Sequence, residues 1–206
     1  MVMVLCFNIS RLDEAAYTRL YRQASSCRRQ KAASYLRQED KFRCIAADAL
    51  LRYALGGAEF TEVREGCGKP YIQGRPEFHH NLSHSGPWVV LAYGGEPLGI
   101  DVEEISMDTK KEKLARRYFT QAEQDYIFRT EEGRDLRFFE IWTAKESYVK
   151  YLGTGLQTAL NSFDVTAMPS PRFHTRKLGS CILTLCTNAP TFQITELTLP
   201  QLLSET

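Results

Sequence analysis

Leu98-Gly-Ile-Asp-Val-Glu103 is the stretch from which the fold is read. Alternate side chains of a strand share a face. Leu98, Ile100 and Val102 then turn one way, toward a core, and Gly99, Asp101 and Glu103 the other. Upstream, Trp88 to Tyr93 is a second strand and the apolar run Met1 to Phe7 a first one. Between them, Phe42, Ile45, Ala46, Ala49, Leu50, Tyr53 and Ala54 recur at helical spacing, so Glu39 to Leu55 is an amphipathic helix stopped by Gly56-Gly57. Downstream, Thr120-Gln-Ala-Glu123 reads as a capping box. Asp135 to Leu152 is a long helix ended by Gly153. Ser162–Thr166, Cys181–Thr187 and Thr191–Leu197 alternate polar with apolar residues and read as short antiparallel strands. Strand, helices, strands thus occur twice. That order predicts an α+β fold of two halves, 1–98 and 99–206, meeting near Gly99.

The composition narrows the class. The chain has 206 residues, 43% apolar and 25% charged, which excludes disordered, collagen-like and mucin-like chains. A chain of this size can bury a core without disulfides or structural zinc. Its 26 basic and 25 acidic residues nearly cancel, which argues against a nucleic-acid coat or an acidic tail. No stretch approaches the roughly 20 apolar residues of a membrane span. The first residues lack the charged start and small-residue cleavage site of a signal peptide. Six cysteines at irregular spacing, none in a C-x-x-C pair, are expected to be reduced thiols of a cytoplasmic protein.

Charge is uneven along the chain. From Arg19 to Arg52 nine basic residues face only Glu39, Asp40 and Asp48. Asp101, Glu103, Glu104 and Asp108 form an acidic stripe, followed at once by Lys110, Lys111, Lys113, Arg116 and Arg117. Such local fields suit a polyanionic ligand and a cation. Asp101 and Glu103 side by side on one strand face repel unless something positive sits between them. A hard cation such as Mg²⁺ takes carboxylate oxygens together with substrate phosphates; the plainer reading is a solvent-facing strand edge. In the long helix, Phe139, Trp142, Glu146, Val149 and Gly153 form one stripe, which puts a carboxylate among apolar residues. Lys150 follows Glu146 by four residues, so the pair is either an ordinary helix salt bridge or a third carboxylate for the cation with a lysine for phosphates.

Phe78-His-His-Asn-Leu-Ser-His-Ser-Gly86 reads as a polar turn whose Asn81, Ser83, His84 and Ser85 supply hydrogen-bond donors for a phosphate. Its histidines invite a zinc reading, but Cys67 is the only thiol nearby. Gly68-Lys-Pro-Tyr71 adds Lys69 in a tight turn.

Gly68-Lys69-Pro70, Asn81-Leu82-Ser83-His84-Ser85-Gly86, Gly99-Ile100-Asp101-Val102-Glu103 and Trp142-Thr143-Ala144-Lys145-Glu146-Ser147 with Lys150 resemble, in this order, the 4'-phosphopantetheinyl transferases. Length and ordering resemble the monomeric, pseudo-dimeric type that activates peptide and polyketide synthases. The resemblance implies two similar α/β halves related by a pseudo-two-fold, with the ligand in a cleft between them. It implies transfer of the phosphopantetheine arm of coenzyme A to a serine of an apo carrier protein, with release of adenosine 3',5'-bisphosphate. Asp101, Glu103 and Glu146 would hold Mg²⁺, and Glu146 would also serve as general base. Lys150 would meet the leaving phosphate. Lys69, Asn81, Ser83 and His84 would bind coenzyme A phosphates, with His84 also counted among the catalytic residues. Arg28, Lys31 and Arg43 match the basic segment around the adenosine 3'-phosphate. The run Lys110 to Arg117 would dock an acidic carrier, or simply be a solvated helix face. A non-catalytic coenzyme A- or nucleotide-binding module would need no base, and a Mg²⁺-dependent nuclease would need aromatic and basic residues interleaved for nucleic acid. Neither suits this sequence.

Overall fold

β1 (Val2–Asn8) shows how the layers arise. Val2, Val4 and Cys6 are fully buried on one face, in a cluster with residues of a second sheet, and Leu5 and Phe7 on the other, against helices. The computed structural model describes residues 1–64, 68–106 and 110–204. After β1 come α1 (Glu14–Gln23), α2 (Ser26–Ser34) and α3 (Gln38–Ala54), a two-residue hairpin of β2 (Glu62–Val63) and β3 (Tyr71–Ile72), then β4 (His79–Ser85) and β5 (Trp88–Gly94). β6 (Leu98–Glu104) opens the second part. It continues with α4 (Lys111–Tyr118), α5 (Gln121–Phe128), α6 (Arg134–Leu152), β7 (Arg172–Leu178) and β8 (Cys181–Thr187), and ends with β9 (Phe192–Glu196) and α7 (Leu199–Ser204).

One sheet has the order β4-β5-β1-β9, the other β6-β8-β7. Leu98, Ile100 and Val102 of β6 meet Val4, Cys6, Val90 and Ala92 of the first sheet in a common core, as the alternation of the strand requires. The outer face of the first sheet is covered by α3 through Ile45, Leu50 and Leu51. The outer face of the second is covered by α6. The result is helices, sheet, sheet, helices. Strand, three helices and an antiparallel strand pair occur in both parts, and the strand orders β4-β5-β1 and β7-β8-β6 correspond.

β6 is an edge strand, and its outward N–H groups lie where no strand can take them. A buried N–H without an acceptor is costly. β4 supplies the acceptors from side chains. Asn81 Oδ1 accepts from Ile100 N at 2.9 Å, Ser83 Oγ from Val102 N at 3.4 Å and Ser85 Oγ from Glu104 N at 3.0 Å. The polar run is therefore a strand and not the expected turn, because its inner face closes an edge. Other expectations also change. Ser162–Thr166 forms no strand and follows a 3-10 turn at Leu160–Ser162. β9 runs parallel, not antiparallel, to β1, with Val4 opposite Ile194. The expected division at Leu98 and Gly99 cuts the start of β6, and β9 crosses it to complete the first sheet. Leu197 and Leu202 follow β9 into the α1–α3 core. No helix of the described residues is long and apolar enough to cross a membrane.

Candidate active site

The second sheet and α6 are pressed together at Gly99. A Cβ there would lie 2.0 Å from the Ser147 carbonyl oxygen and 2.4 Å from Tyr151 N, so only glycine lets the helix sit this close. The close approach brings Lys150 over Asp101, two residues along the same strand face. Lys150 Nζ donates to Asp101 Oδ1 at 2.7 Å and to Ser83 Oγ at 3.0 Å, and Ser83 Oγ donates to Asp101 Oδ1 at 2.8 Å. Of the two readings of Glu146 and Lys150, the ordinary helix salt bridge is not formed. The ammonium reaches across to the strand because a carboxylate that is only 3% exposed needs it more than a helix neighbour does. Ser85 Oγ donates to Glu103 Oε2 at 2.9 Å.

Asp101 raises the proton affinity of the two carboxylates beside it. Burial, with Asp101 and Glu146 nearby, pushes Glu103 up to about 7. Burial and then Asp101 raise Glu146 above the usual carboxylate range. Asp101 Oδ2 is buried with no hydrogen-bond partner. Mutually repelling carboxylates with one orphaned buried oxygen fit a hard divalent cation. As the side chains stand, no three ligating groups among the described residues converge on one point, and Lys150 holds the position beside Asp101.

Glu146 and Lys150 line a cavity of about 700 Å³. Lys69, Pro70, Asn81 and Leu82 form one side of it, and Tyr118, Val149 and residues 158–161 the other. A second cavity of about 450 Å³ shares Arg64, Pro70, Asn81 and Leu82 with the first, so the two form one groove. Arg28, Lys31 and His84 line this second part. Arg28 donates to Glu62 Oε2 at 2.8 Å, and Glu62 Oε1 lies 2.9 Å from His80 Nε2. Lys31 is exposed, and its side chain makes no hydrogen bond or ion pair among the described residues. His84 is exposed at the groove surface; partial loss of water around its ring and then Arg43 hold it below the usual histidine range.

Several expected ligand groups are engaged elsewhere. Arg43 donates to the Gly86 carbonyl at 2.6 Å and to Asp40 at 3.0 Å, and lines neither part of the groove. Lys69 Nζ donates to the Leu98 carbonyl, and burial brings it down to about 8. Ser83 commits its hydroxyl proton to Asp101 and Asn81 its side-chain oxygen to β6. His84 and Glu146 lie in different parts of the groove, so the structure does not bring His84 to the carboxylates. In the basic run, Lys111 is buried against Asp135 at 2.9 Å and Arg116 pairs with Glu112, which weakens the run as a docking patch. Cys67 and Asp108 lie outside the described residues. The five described cysteines are free; burial pushes Cys6 and Cys186 up to about 12, so they are unreactive.

Sequence reasoning gave no role to Lys145, one residue before Glu146. It is fully buried, 2.8 Å from Glu123, and donates to the carbonyls of Leu160 and Phe163. Glu123 closes the capping box at Thr120 and accepts from Val165 N. This ion pair fixes the 159–165 segment, part of which walls the cavity. The capping box was visible in the sequence; its buried partner was not.

Comparison with known proteins follows the same path. Residues 97–196 match the model of the 4'-phosphopantetheinyl transferase superfamily. A 4'-phosphopantetheinyl transferase of Bacillus subtilis is 34% identical over 154 residues, 71% of this chain and 68% of that protein. The 4'-phosphopantetheinyl transferase Sfp of Bacillus subtilis (strain 168) is 33% identical, over 67% of this chain and 64% of that protein. The 4'-phosphopantetheinyl transferase psf-1 of Bacillus pumilus is 39% identical, over 60% and 55%. The matched stretches thus span between 55% and 68% of these three relatives. With Asp101, Glu103, Glu146 and Lys150 inside the matching residues 97–196, and a relative 34% identical over most of both chains, the chain belongs to the 4'-phosphopantetheinyl transferase superfamily.

Proposed function

We propose that this 4'-phosphopantetheinyl transferase takes its group from coenzyme A and delivers it to a serine of an apo acyl or peptidyl carrier protein, releasing adenosine 3',5'-bisphosphate. The observation that carries this reading is the single groove in which Arg28, Lys31 and His84 stand at one end and Glu146 and Lys150 at the other. A long polyanion with one reacting pyrophosphate fits that distribution. Asp101, Glu103 and Glu146 are the residues that would hold Mg²⁺, which supplies charge neutralisation on the pyrophosphate.

The chain's own residues do the rest. Glu146, raised in proton affinity and facing the cavity, accepts the proton of the carrier serine hydroxyl. The serine oxygen bonds to the phosphorus that carries pantetheine. The bond from that phosphorus to the bridging oxygen breaks, and the electron pair leaves on adenosine 3',5'-bisphosphate. Lys150 turns from Asp101 to meet this developing charge. Lys31 and His84 hold the nucleotide end, and Lys69 closes the wall between.

The repeated order of elements supports two halves, 1–98 and 99–206, related by a pseudo-two-fold, with β9 crossing back and the ligand cleft between them. Because both halves line the groove, one chain suffices and the enzyme works as a monomer. We place it in the cytoplasm, with coenzyme A and carrier protein as partners and neither nucleic acid nor membrane. Incubation with coenzyme A, Mg²⁺ and an apo carrier, followed by weighing the carrier, tests the reading. The carrier gains the mass of phosphopantetheine. A carrier of unchanged mass alongside measurable coenzyme A binding would instead support a non-catalytic binding module.

A further inference from the structure

Two serines on β4 are wired to two carboxylates on β6 in the same way. Ser83 accepts from Val102 N and donates to Asp101 Oδ1 at 2.8 Å. Two residues on, Ser85 accepts from Glu104 N at 3.0 Å and donates to Glu103 Oε2 at 2.9 Å. Each hydroxyl oxygen accepts from a backbone N–H, and its one O–H donates to the carboxylate. The backbone bonds hold the serines in register with the edge of β6, so the hydroxyls fix carboxylate orientation and are not free donors for phosphate. Behind them Gly86, at φ 52°, makes the turn that ends the strand.

We propose that Ser85 is a positioning residue for the reaction: it holds Glu103 in the orientation that receives the divalent cation. The inference rests on the reading of Glu103 as a cation ligand. It differs from a phosphate-binding role in what it predicts. Loss of the Ser85 hydroxyl changes the Mg²⁺ requirement and leaves the requirement for coenzyme A alone.

Two readouts test it. Mg²⁺ is titrated into coenzyme A-free protein and followed by melting temperature. Separately, the Mg²⁺ concentration at half-maximal transfer is measured apart from kcat at saturating Mg²⁺. Ser85→Ala is expected to raise the half-saturating Mg²⁺ concentration in both by roughly 10–100-fold, the usual effect of removing a group that orients a metal ligand. kcat at saturating Mg²⁺ and the KM for coenzyme A stay near wild type, and Ser85→Thr restores the Mg²⁺ response. Ser180→Ala removes a similar bond, to Glu104 Oε1 at 3.1 Å, and leaves the response unchanged. A wild-type Mg²⁺ response in Ser85→Ala, or an equal loss in Ser180→Ala, overturns the proposal. If Ser85→Ala does not fold, Ser85→Thr and Ser85→Val, alike in shape but for one hydroxyl, decide it; an equal response in the two overturns it. Glu103→Ala keeps the failures apart. If that variant also responds normally to Mg²⁺, the reading of Glu103 as a ligand falls. If it loses the response and Ser85→Ala does not, only the positioning role falls.

Discussion

Asp101 holds one oxygen against Lys150 and Ser83 and leaves the other buried and unpartnered, and this asymmetry sets what single substitutions do. Lys150→Met removes the ammonium and leaves a buried carboxylate with one donor. The Mg²⁺-free protein should lose about 1–3 kcal/mol, the cost of an unsatisfied buried polar group. Mg²⁺ should restore more stability to this variant than to the wild type, while kcat falls more than the KM for coenzyme A rises. Thermal melts with chelator and with Mg²⁺, beside turnover, check both; unchanged melting temperatures in the two conditions would remove Lys150 from the carboxylate site. Glu103 gives a pH dependence. Its folded-state pKa of about 7 lies above the 4.5 of an ordinary glutamate, so between the two the folded state binds the extra proton. Its contribution to stability is therefore full below about 4.5 and is lost as pH rises through about 7. Glu103→Gln should raise the melting temperature of Mg²⁺-free protein at pH 8 and have little effect at pH 5. A constant difference across that range would show that the charge of Glu103 is not the cause. Period-two alternation put Asp101 and Glu103 on one strand face, but it took Glu146 on the apolar stripe of the long helix to favour a site over a solvent-facing edge. The partner of Lys150 was not legible, because the i,i+4 rule sees only the helix, whereas the partner comes from a strand 49 residues away in sequence.

At the scale of elements, the site depends on how close α6 comes to β6. Gly99→Ala would put a methyl group into the Ser147–Tyr151 backbone of the helix. Neither backbone can yield cheaply, so the change should cost about 1–3 kcal/mol or more by overpacking, and displace Lys150 from Asp101. Gly95→Ala, where nothing lies within 4 Å, is the control. Denaturant unfolding of the two variants measures the difference; equal midpoints would show that the contact is loose. Strong periodicity and clear stop signals made α3, α6, β5, β6 and β8 readable in advance, with Gly153 at φ 71° ending α6 as expected. β4 was misread for a physical reason. Its alternation is polar with polar, since one face closes the edge of β6 and the other lines the basic groove, so the usual apolar signal of a strand is missing. α1 was overlooked although Ala16, Tyr17, Leu20 and Tyr21 form a short stripe behind the Asp13 cap, whereas α2 buries only Ala32 and gives little apolar signal.

For the whole molecule, a net charge of +1 conceals a separation of charge. Lys31, which makes no ion pair among the described residues, comes from the first part of the chain and the clustered carboxylates from the second. Arg28 is already held by Glu62 at 2.8 Å and by Asp48 at 3.9 Å, so its loss acts on the fold as well as on any ligand. Lys31 is exposed, lines the same wall and has no such duty. It is therefore the cleaner test of whether the groove reads the nucleotide end of coenzyme A. Lys31→Ala should leave the melting temperature unchanged. It should raise the KM for coenzyme A by the equivalent of about 1.5–3 kcal/mol at low salt, the worth of a charge-assisted hydrogen bond, with kcat near wild type. The effect should shrink as ionic strength rises, because the pair is solvent-exposed. Dephospho-coenzyme A, which lacks the 3'-phosphate, locates the contact. If Lys31 meets that phosphate, wild type and variant should use dephospho-coenzyme A equally well. If the variant is impaired to the same degree with both donors, Lys31 acts elsewhere on the ligand, and the 3'-phosphate must lie against another part of the groove.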